Sequence, residues 1–467
     1  MRRTQDDRLG MVIIQKNGKD ARASLAKAAA VSILETLRSH GHSAYLVGGC
    51  VRDLLLGLAP QDYDVATSAR PDAVMSLFPE TIPVGAQFGV VLVVSRPPGA
   101  NPIHVEVATY RSDIGYTDGR HPDAVRYSDS AQEDVQRRDF TINGLLLDPI
   151  ENKVIDYVGG RSDLERRIVR TIGNPLERFR EDKLRMMRAV RFAARLGYTI
   201  DSDTMRAIKA LSREIHQVSR ERIRDELDKM LTEGRARQCF ELLDESGLLI
   251  EVLPEISAMK GVEQPPQYHP EGDVWTHTLM LLEGLEKGCS KSLAWGVLLH
   301  DVGKPPTFRV APDRIRFDRH AEVGTRMAES ICRRLRFSND TTEQVATLVA
   351  NHMRFGDAGK MKESTLKRFL RLPHFEEHLE LHRLDCKASH GDLSLYDFVR
   401  EKLETTPPQE IRPVPLLSGK DLIESGRPPG PQFRTVLQAV EDAQLEGTLR
   451  TREEAMSFVE TNFPKGE

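Results

Sequence analysis

The sequence predicts an α+β chain, with its strands gathered in the first 160 residues and the remainder helical. Three observations carry this. Residues 46–67, LVGGCVRDLLLGLAPQDYDVAT, read as a strand, a double-glycine turn, a short helix closed by Gly57, a loop and a second strand. The runs GAQFGVVLVVSR and PIHVEVATYR are rich in valine, and the second alternates, as a β-hairpin does. From about residue 161 the apolar residues recur at helical spacing.

At 467 residues the chain exceeds one ordinary core and implies three or four domains. The pattern divides it into an N-terminal extension (1–23), an α/β head (24–160), a helical neck and body (161–264), a histidine-bearing helical region (265–405) and a helical tail (406–467). Charged residues make up 29% and apolar residues 39%, the balance of a soluble folded protein. No apolar run approaches the roughly 18 residues of a membrane span. The N-terminal MVII is too short for a signal-peptide core and is flanked by acids, so 1–23 is expected to be a loose extension. Five cysteines, Cys50, Cys239, Cys289, Cys332 and Cys386, never form C-x-x-C, which argues against a disulfide frame or a thiolate zinc site and fits a reducing cytoplasm. A net charge of −4 does not mark a strongly basic nucleic-acid binder. Residues 161–200, however, hold eleven Lys/Arg against five Asp/Glu, so any RNA contact is expected there.

Taken in order, SLAKAAAVSILETLRSH (24–40) predicts a helix starting at Ser24. In the stretch that follows, Gly48 and Gly49 lack Cβ atoms and let a polyphosphate approach the backbone, while the next helix turns free N–H groups towards it. Asp62 and Asp64 lie two apart on an extended strand and share a face. Two carboxylates so close repel unless a divalent cation lies between them, and Mg²⁺ suits such a pair completed by water and substrate phosphates. Glu106, on the second hairpin arm, is either a third metal carboxylate or a solvent-facing residue of an amphipathic strand. Residues 111–129 are rich in turn-formers and charges, which predicts a mobile loop. In RRDFTINGLLLD (137–148), the fork of Arg138 suits triphosphate oxygens, with Asp139 and Asn143 placed for ribose hydroxyls.

Beyond GNP (173–175) one strong helix is expected through Arg195. Met186, Val190, Ala193 and Ala194 would form its buried face, and Arg185, Arg188, Arg191 and Arg195 its other side. Asp182 and Arg185 stand at i,i+3 spacing. A carboxylate only accepts and a guanidinium only donates. Together they match the exocyclic amine and ring nitrogen of cytosine or adenine, and they oppose guanine and uracil. A plain helical ion pair is the alternative use of the same two residues.

GGCVRD with DYDVAT and RRDFTIN resembles the bacterial-type tRNA nucleotidyltransferase and poly(A) polymerase family, the class II CCA-adding enzymes. The resemblance covers residue 46 to the end. It implies a polymerase-β-like mixed sheet in a catalytic head, with Asp62 and Asp64 catalytic and holding Mg²⁺. Nucleotide binding is implied for Gly48, Gly49, Arg52, Arg138, Asp139, Asn143, Asp182, Arg185, Arg188 and Arg191, the last four in an E-D-x-x-R element that serves as protein template. Gly144 stands where family members usually have Ala. The loop at 111–129 occupies the place of the family's flexible loop, associated with addition of the terminal A. Poly(A) polymerases of the family carry a basic pair before a phenylalanine, where this chain has Gly85-Ala86-Gln87-Phe88. The tail resembles the family's RNA-proximal C-terminal element.

Downstream, His277, His300-Asp301, His320, His352 and Asp385 fall near helix ends, and helices can converge such ligands on Mn, Fe, Ni or Zn. The series resembles the HD phosphohydrolase superfamily, where two metals activate water for phosphoester hydrolysis. Lys304 would assist with phosphate or cap a helix. The expected function is addition of the 3′-terminal CCA to tRNA from CTP and ATP, with a phosphohydrolase activity in the HD region. An A-only enzyme, a poly(A) polymerase, or a protein that is chiefly an HD phosphohydrolase are the rivals.

Overall fold

The computed structural model describes residues 6–85, 89–114 and 124–464. They fall into two compact units, one of Met1–Glu226 with Glu241–Val252 and the other of Leu227–Phe240 with Leu253–Glu467. The chain is α+β, as the sequence predicts: among the described residues seven strands of the first unit build one large mixed sheet, and the second unit is almost wholly helical.

In the first unit, helix α1 runs Asp6–Ser39, beginning at Asp6 rather than at Ser24, so the expected loose extension is largely helical. Its Ala30, Leu34 and Leu37 are fully buried. Strand β1 (Ala44–Val47) ends at the double glycine, helix α2 (Gly49–Leu55) follows, and β2 spans Asp64–Thr67. After α3 (Pro71–Leu77) come β3 (Thr81–Gly85), β4 (Val90–Ser95) and β5 (Ile103–Thr109). β4 and β5 pair antiparallel along their lengths, the hairpin that the valine pattern predicts. Two short strands follow, β6 (Arg111–Ile114) and β7 (Ala124–Tyr127), and pair with each other. The stretch expected as a loop is therefore in part a β-ribbon, and 115–123 lie outside the described residues. Helix α4 (Ala131–Gln136), capped by Ser130, leads into β8 (Leu145–Asp148) and β9 (Lys153–Asp156).

The sheet order is β3-β4-β5-β2-β1-β8-β9. β2 lies antiparallel to β1 and parallel to β5. That mixed order sets Val47, the residue before the glycine turn, opposite Asp64, and Asp64 opposite Glu106.

Helices α5 (Gly160–Arg166), α6 (Pro175–Glu181), α7 (Leu184–Leu196), α8 (Ser202–Leu211) and α9 (Arg220–Thr232) follow. The single helix expected over this region is broken: Asp182 caps α6 in an extended conformation (φ −146°, ψ 104°), and α7 starts afresh. The apolar face holds as read, with Met186, Val190, Ala193 and Ala194 buried, but Arg191 is buried beside them.

The second unit packs the helices Val274–Glu283, Lys291–Leu299, His320–Arg334, Asn339–Asn351 and Phe375–Ala388. Phe355, Phe369 and Phe375 centre one apolar cluster there. The tail forms its own small core from Leu417, Leu422, Val436, Val440, Leu449, Ala455 and Val459. All five cysteines are free thiols. Among the described residues no helix is long and apolar enough to cross a membrane.

Candidate active sites of the head and of the HD region

Strand β2 starts at Asp64, so Asp62 precedes the ladder and the shared-face argument does not apply to both within one strand. The two are still electrostatically coupled. Burial pushes the Asp64 carboxyl up to about 7, Glu106 on the parallel neighbour and Asp62 push the same way, and Arg138 opposes them. Tyr63 between them is buried, while Asp62 is exposed. Asp64 thus stands opposite Glu106 in the ladder and feels the charge of Asp62. An oxygen-only donor set under mutual repulsion fits a hard divalent cation.

Gly48 caps α2 with φ 77°, a conformation glycine adopts readily and other residues rarely. Gly48, Gly49, Arg52 and Asp64 line a cleft of about 530 Å³, with Arg137, Arg138, Asp139, Asn143, Asp182, Arg185, Arg188, Arg191 and Arg195 around it. Asp62 does not line this cleft.

Each cleft residue is held by its neighbours. Asp134 of α4, fully buried, takes Arg137 on one oxygen (2.7 Å) and Arg138 on the other (2.9 Å). Arg188 donates twice to Asp139 (2.7 and 3.0 Å). Burial pushes the Asp139 carboxyl up, but Arg188 and Arg185 hold it down at about 2. Asn143 bridges Asp139 to Arg52: its amide donates to Asp139 (3.2 Å) and its carbonyl accepts from Arg52 (2.7 Å). The Phe192 ring lies about 5 Å below the guanidinium carbons of Arg52, Arg188 and Arg191.

Asp182 and Arg185 both face the cleft but do not pair with each other. Arg185 pairs with Glu181 at 2.7 Å and donates to the Arg137 carbonyl. Asp182 caps Leu184 N (3.0 Å) and accepts from Arg222 of α9 (2.8 Å). Arg191, expected on the arginine side of the helix and as a nucleotide-binding residue, lines the cleft but is ion-paired with buried Glu226 at 2.6 Å. The Glu226 side chain reaches it from α9. The backbone keeps the i,i+3 bond, Arg185 N–H to the Asp182 carbonyl at 3.0 Å, but the Asp182 side chain turns to Arg222 instead of the Arg185 guanidinium. Asp134, Arg222 and Glu226 were not read from the sequence. Only Asp134 had a signal, at i,i+3 and i,i+4 before the arginine pair.

In the second unit all six predicted ligands converge. His277 Nε2 lies 3.1 Å from Asp385, and His300 Nε2 is 3.3 Å from His277 Nε2 and 3.2 Å from Asp301. His320 and His352 approach each other at 3.3 Å through Nε2, each 3.7 Å from the other oxygen of Asp301. Two triads therefore share Asp301. Backbone carbonyls explain the orientation. Nδ1 of His300, His320 and His352 lies 2.8, 2.9 and 2.7 Å from the carbonyls of Val297, Phe317 and Val349. A carbonyl only accepts, so each Nδ1 carries a hydrogen and each Nε2 turns a lone pair inward. Lone pair facing lone pair at 3.3 Å is what a cation between them resolves.

His277 Nδ1 is held by Glu271 at 2.7 Å. Burial lowers the His277 pKa, but Asp385 and Glu271 raise it to about 9. Lys304 ion-pairs with Asp301 (2.7 Å) and donates to Gln264 (2.6 Å), both roles short of the expected phosphate contact. Gly303 permits the convergence: a Cβ there would fall 2.1 Å from the His320 carbonyl oxygen. Glu271 and Gln264 were missed, as nothing in their spacing marks them. The centre opens to a pocket of about 420 Å³.

The fold and the two sites define a class: a nucleotidyltransferase-type head joined to helical segments that carry an HD-type divalent-metal centre. The head matches the family model for the poly A polymerase head domain over residues 44–170. Residues 197–260 match the probable RNA and SrmB-binding site of polymerase A, and 273–382 match the HD domain. The CCA-adding enzyme of Lactococcus lactis subsp. cremoris (strain MG1363) is 32% identical over 432 residues, 91% of this chain and 93% of its own. That of Geobacillus sp. (strain WCH70) is 46% identical over 221 residues, 47% of this chain, and the chain spans about half, 53%, of that relative's length. The crystal structure of the Bacillus stearothermophilus CCA-adding enzyme in complex with CTP superposes with a TM-score of 0.70 at 29% identity, covering 93% of this chain and 96% of that one. The chain belongs to the family of CCA-adding enzymes.

Proposed function

We propose that the protein adds the 3′-terminal CCA to tRNA from CTP and ATP. The 3′-hydroxyl oxygen of the tRNA attacks the α-phosphorus in line. A new O–P bond forms as the bond to the β-phosphate oxygen breaks, and pyrophosphate leaves. The observation that carries this reading is the register that sets Asp64 opposite Glu106 and next to the strand ending at the Gly48–Gly49 turn, with Asp64 and both glycines lining an arginine-rich cleft. Asp62 and Asp64, with Glu106, would hold Mg²⁺, which when bound lowers the hydroxyl pKa and offsets charge on the leaving group.

The remaining work belongs to side chains. Arg138, braced by Asp134, and the Gly48–Gly49 turn take the triphosphate. Asp139 and Asn143 are placed for the ribose hydroxyls, in a network that Arg52 and Arg188 hold still. Asp182 accepts from the exocyclic amine of cytosine or adenine, and Arg185 donates to the ring nitrogen. In the Michaelis complex Arg185 leaves Glu181 for the base edge.

A second activity rests on the inward Nε2 lone pairs around Asp301: hydrolysis of phosphoesters by the HD region, with Mn, Fe, Ni or Zn held by His277, His300, Asp301, His320, His352 and Asp385. A cytoplasmic site of action follows from the tRNA substrate.

The test is incubation of tRNA transcripts ending before CCA, after C and after CC with labelled CTP and ATP. Stepwise completion to CCA is expected from each. No extension of the first transcript by CTP would reduce the enzyme to A addition, and long A tails would make it a poly(A) polymerase.

A further inference from the structure

Asp182 lies in the gap between α6 and α7, where no helical neighbour fixes its side chain. Its partners must therefore decide where the carboxylate points. One oxygen is spent on the Leu184 backbone N–H at 3.0 Å. The other is held from a different helix, by Arg222 Nη2 of α9 at 2.8 Å, with both side chains mostly shielded from solvent. Arg185, the partner that the spacing suggests, is committed to Glu181 instead.

One turn further along α9, Glu226 holds Arg191 at 2.6 Å. The two ion pairs have opposite polarity. In one, α9 supplies the cation, and in the other the anion. Sliding α9 by a turn would bring like charges together, so the pairs lock its register against the cleft.

We propose that Arg222 is a positioning residue for base selection: from α9 it holds the Asp182 carboxylate in the one orientation that accepts an exocyclic amine, and so sets discrimination against G and U. This rests on the reading of Asp182 as the base-selecting acceptor. The physical reason is angular. An acceptor fixed in place rewards an amine and repels a carbonyl, whereas a carboxylate free to rotate turns away from a carbonyl and loses the penalty. Arg222 does not need to touch the nucleotide for this.

The experiment compares wild type, Arg222→Ala and Arg222→Lys, with kcat/KM measured for CTP, UTP, ATP and GTP on tRNA acceptors. In Arg222→Ala the CTP/UTP and ATP/GTP ratios should fall about tenfold, the loss of one charge-assisted hydrogen bond's worth of discrimination. Arg222→Lys keeps a charge but only a point donor, and its ratios should lie between the two. A uniform loss of rate for all four nucleotides, with the ratios unchanged, would mark a merely structural residue and overturn the inference. Unchanged rates and ratios would overturn it too. Should Arg222→Ala melt early by circular dichroism, Arg222→Lys and Arg222→Gln carry the same comparison. A wild type that adds neither C nor A overturns the function proposed above, and this inference with it; an active wild type with indifferent variants overturns this inference alone.

Discussion

The two sites meet the same problem, concentrating ligands for a divalent cation, by opposite means. In the head, Asp64 starts one strand and Glu106 lies in the middle of its parallel neighbour, and sheet register brings the two opposite each other. The donors are hard oxygens, and the cleft around them is wide and lined by arginines. In the HD region, imidazoles project from helix ends, and three of them are locked by backbone carbonyls three residues upstream. In the head, like charges face one another with Arg138 beside them, while in the HD region three imidazoles are oriented by backbone carbonyls. The lesson is that preorganisation there comes from local backbone geometry, whereas in the head it comes from long-range pairing and from arginines that answer to other acids.

The sharpest way to break the comparison is to disable each site alone. Asp64→Ala should lower nucleotide addition by about 10³-fold or more, the loss of several kcal/mol of metal-assisted stabilisation. It should spare phosphoester hydrolysis in the same preparation. His300→Ala should do the reverse. If either change removes both activities, the sites are not independent.

Glu271 tests the idea that HD ligands are held in advance. It accepts from His277 Nδ1, and Glu271→Ala should weaken metal affinity of the HD centre about 10- to 100-fold. Isothermal titration with Mn²⁺ or Ni²⁺ reads this directly. An unchanged affinity would mean that Asp385 alone orients His277.

The head should show the opposite signature, a pH-sensitive demand for metal. The Asp64 carboxyl ionises only near pH 7, so a cation must displace its proton below that value. The Mg²⁺ concentration for half-maximal addition should rise by up to about tenfold per pH unit as pH falls below 7. The sign for stability without metal is the reverse. A carboxyl raised in the folded state binds its proton more tightly there than in the unfolded chain. Stability is then full below the ordinary carboxyl range and falls as pH rises towards 7. Asp64→Asn should flatten the stability profile.

The smallest effect expected is on packing. Gly303→Ala places a methyl group against the His320 carbonyl oxygen and should cost about 1–3 kcal/mol by chemical denaturation of the HD unit. Nucleotide addition should persist at temperatures where both units stay folded.

Much of this was legible beforehand. The strand, glycine turn and second strand of residues 46–67, the valine hairpin, and all six HD ligands fall where periodicity and motif spacing place them. Local signals suffice there, because a strand alternates and a glycine turn needs glycine whatever surrounds them. The misreadings share a cause. The helix expected through Arg195 breaks at Asp182, and Arg191, read on the arginine face opposite the apolar one, is buried in an ion pair. In both cases α9 supplies the partner from far along the chain, Arg222 for one and Glu226 for the other. Helical spacing cannot register a neighbour of that kind. The contrast between Gly85-Ala86-Gln87-Phe88 and a basic pair falls largely on 86–88, outside the described residues.

The sequence by itself determined which residue types stand ready: acids beside a glycine turn, arginines along a helix, and histidines at helix ends. Those choices are local, since each depends on a residue's own donors, acceptors and backbone freedom. Only the tertiary structure decided who answers whom. Arg185 rests on Glu181 and Asp182 on Arg222, while Asp134 braces two arginines at once. An ion pair is decided by distance in space, and in a chain with this many arginines sequence spacing leaves many partners open.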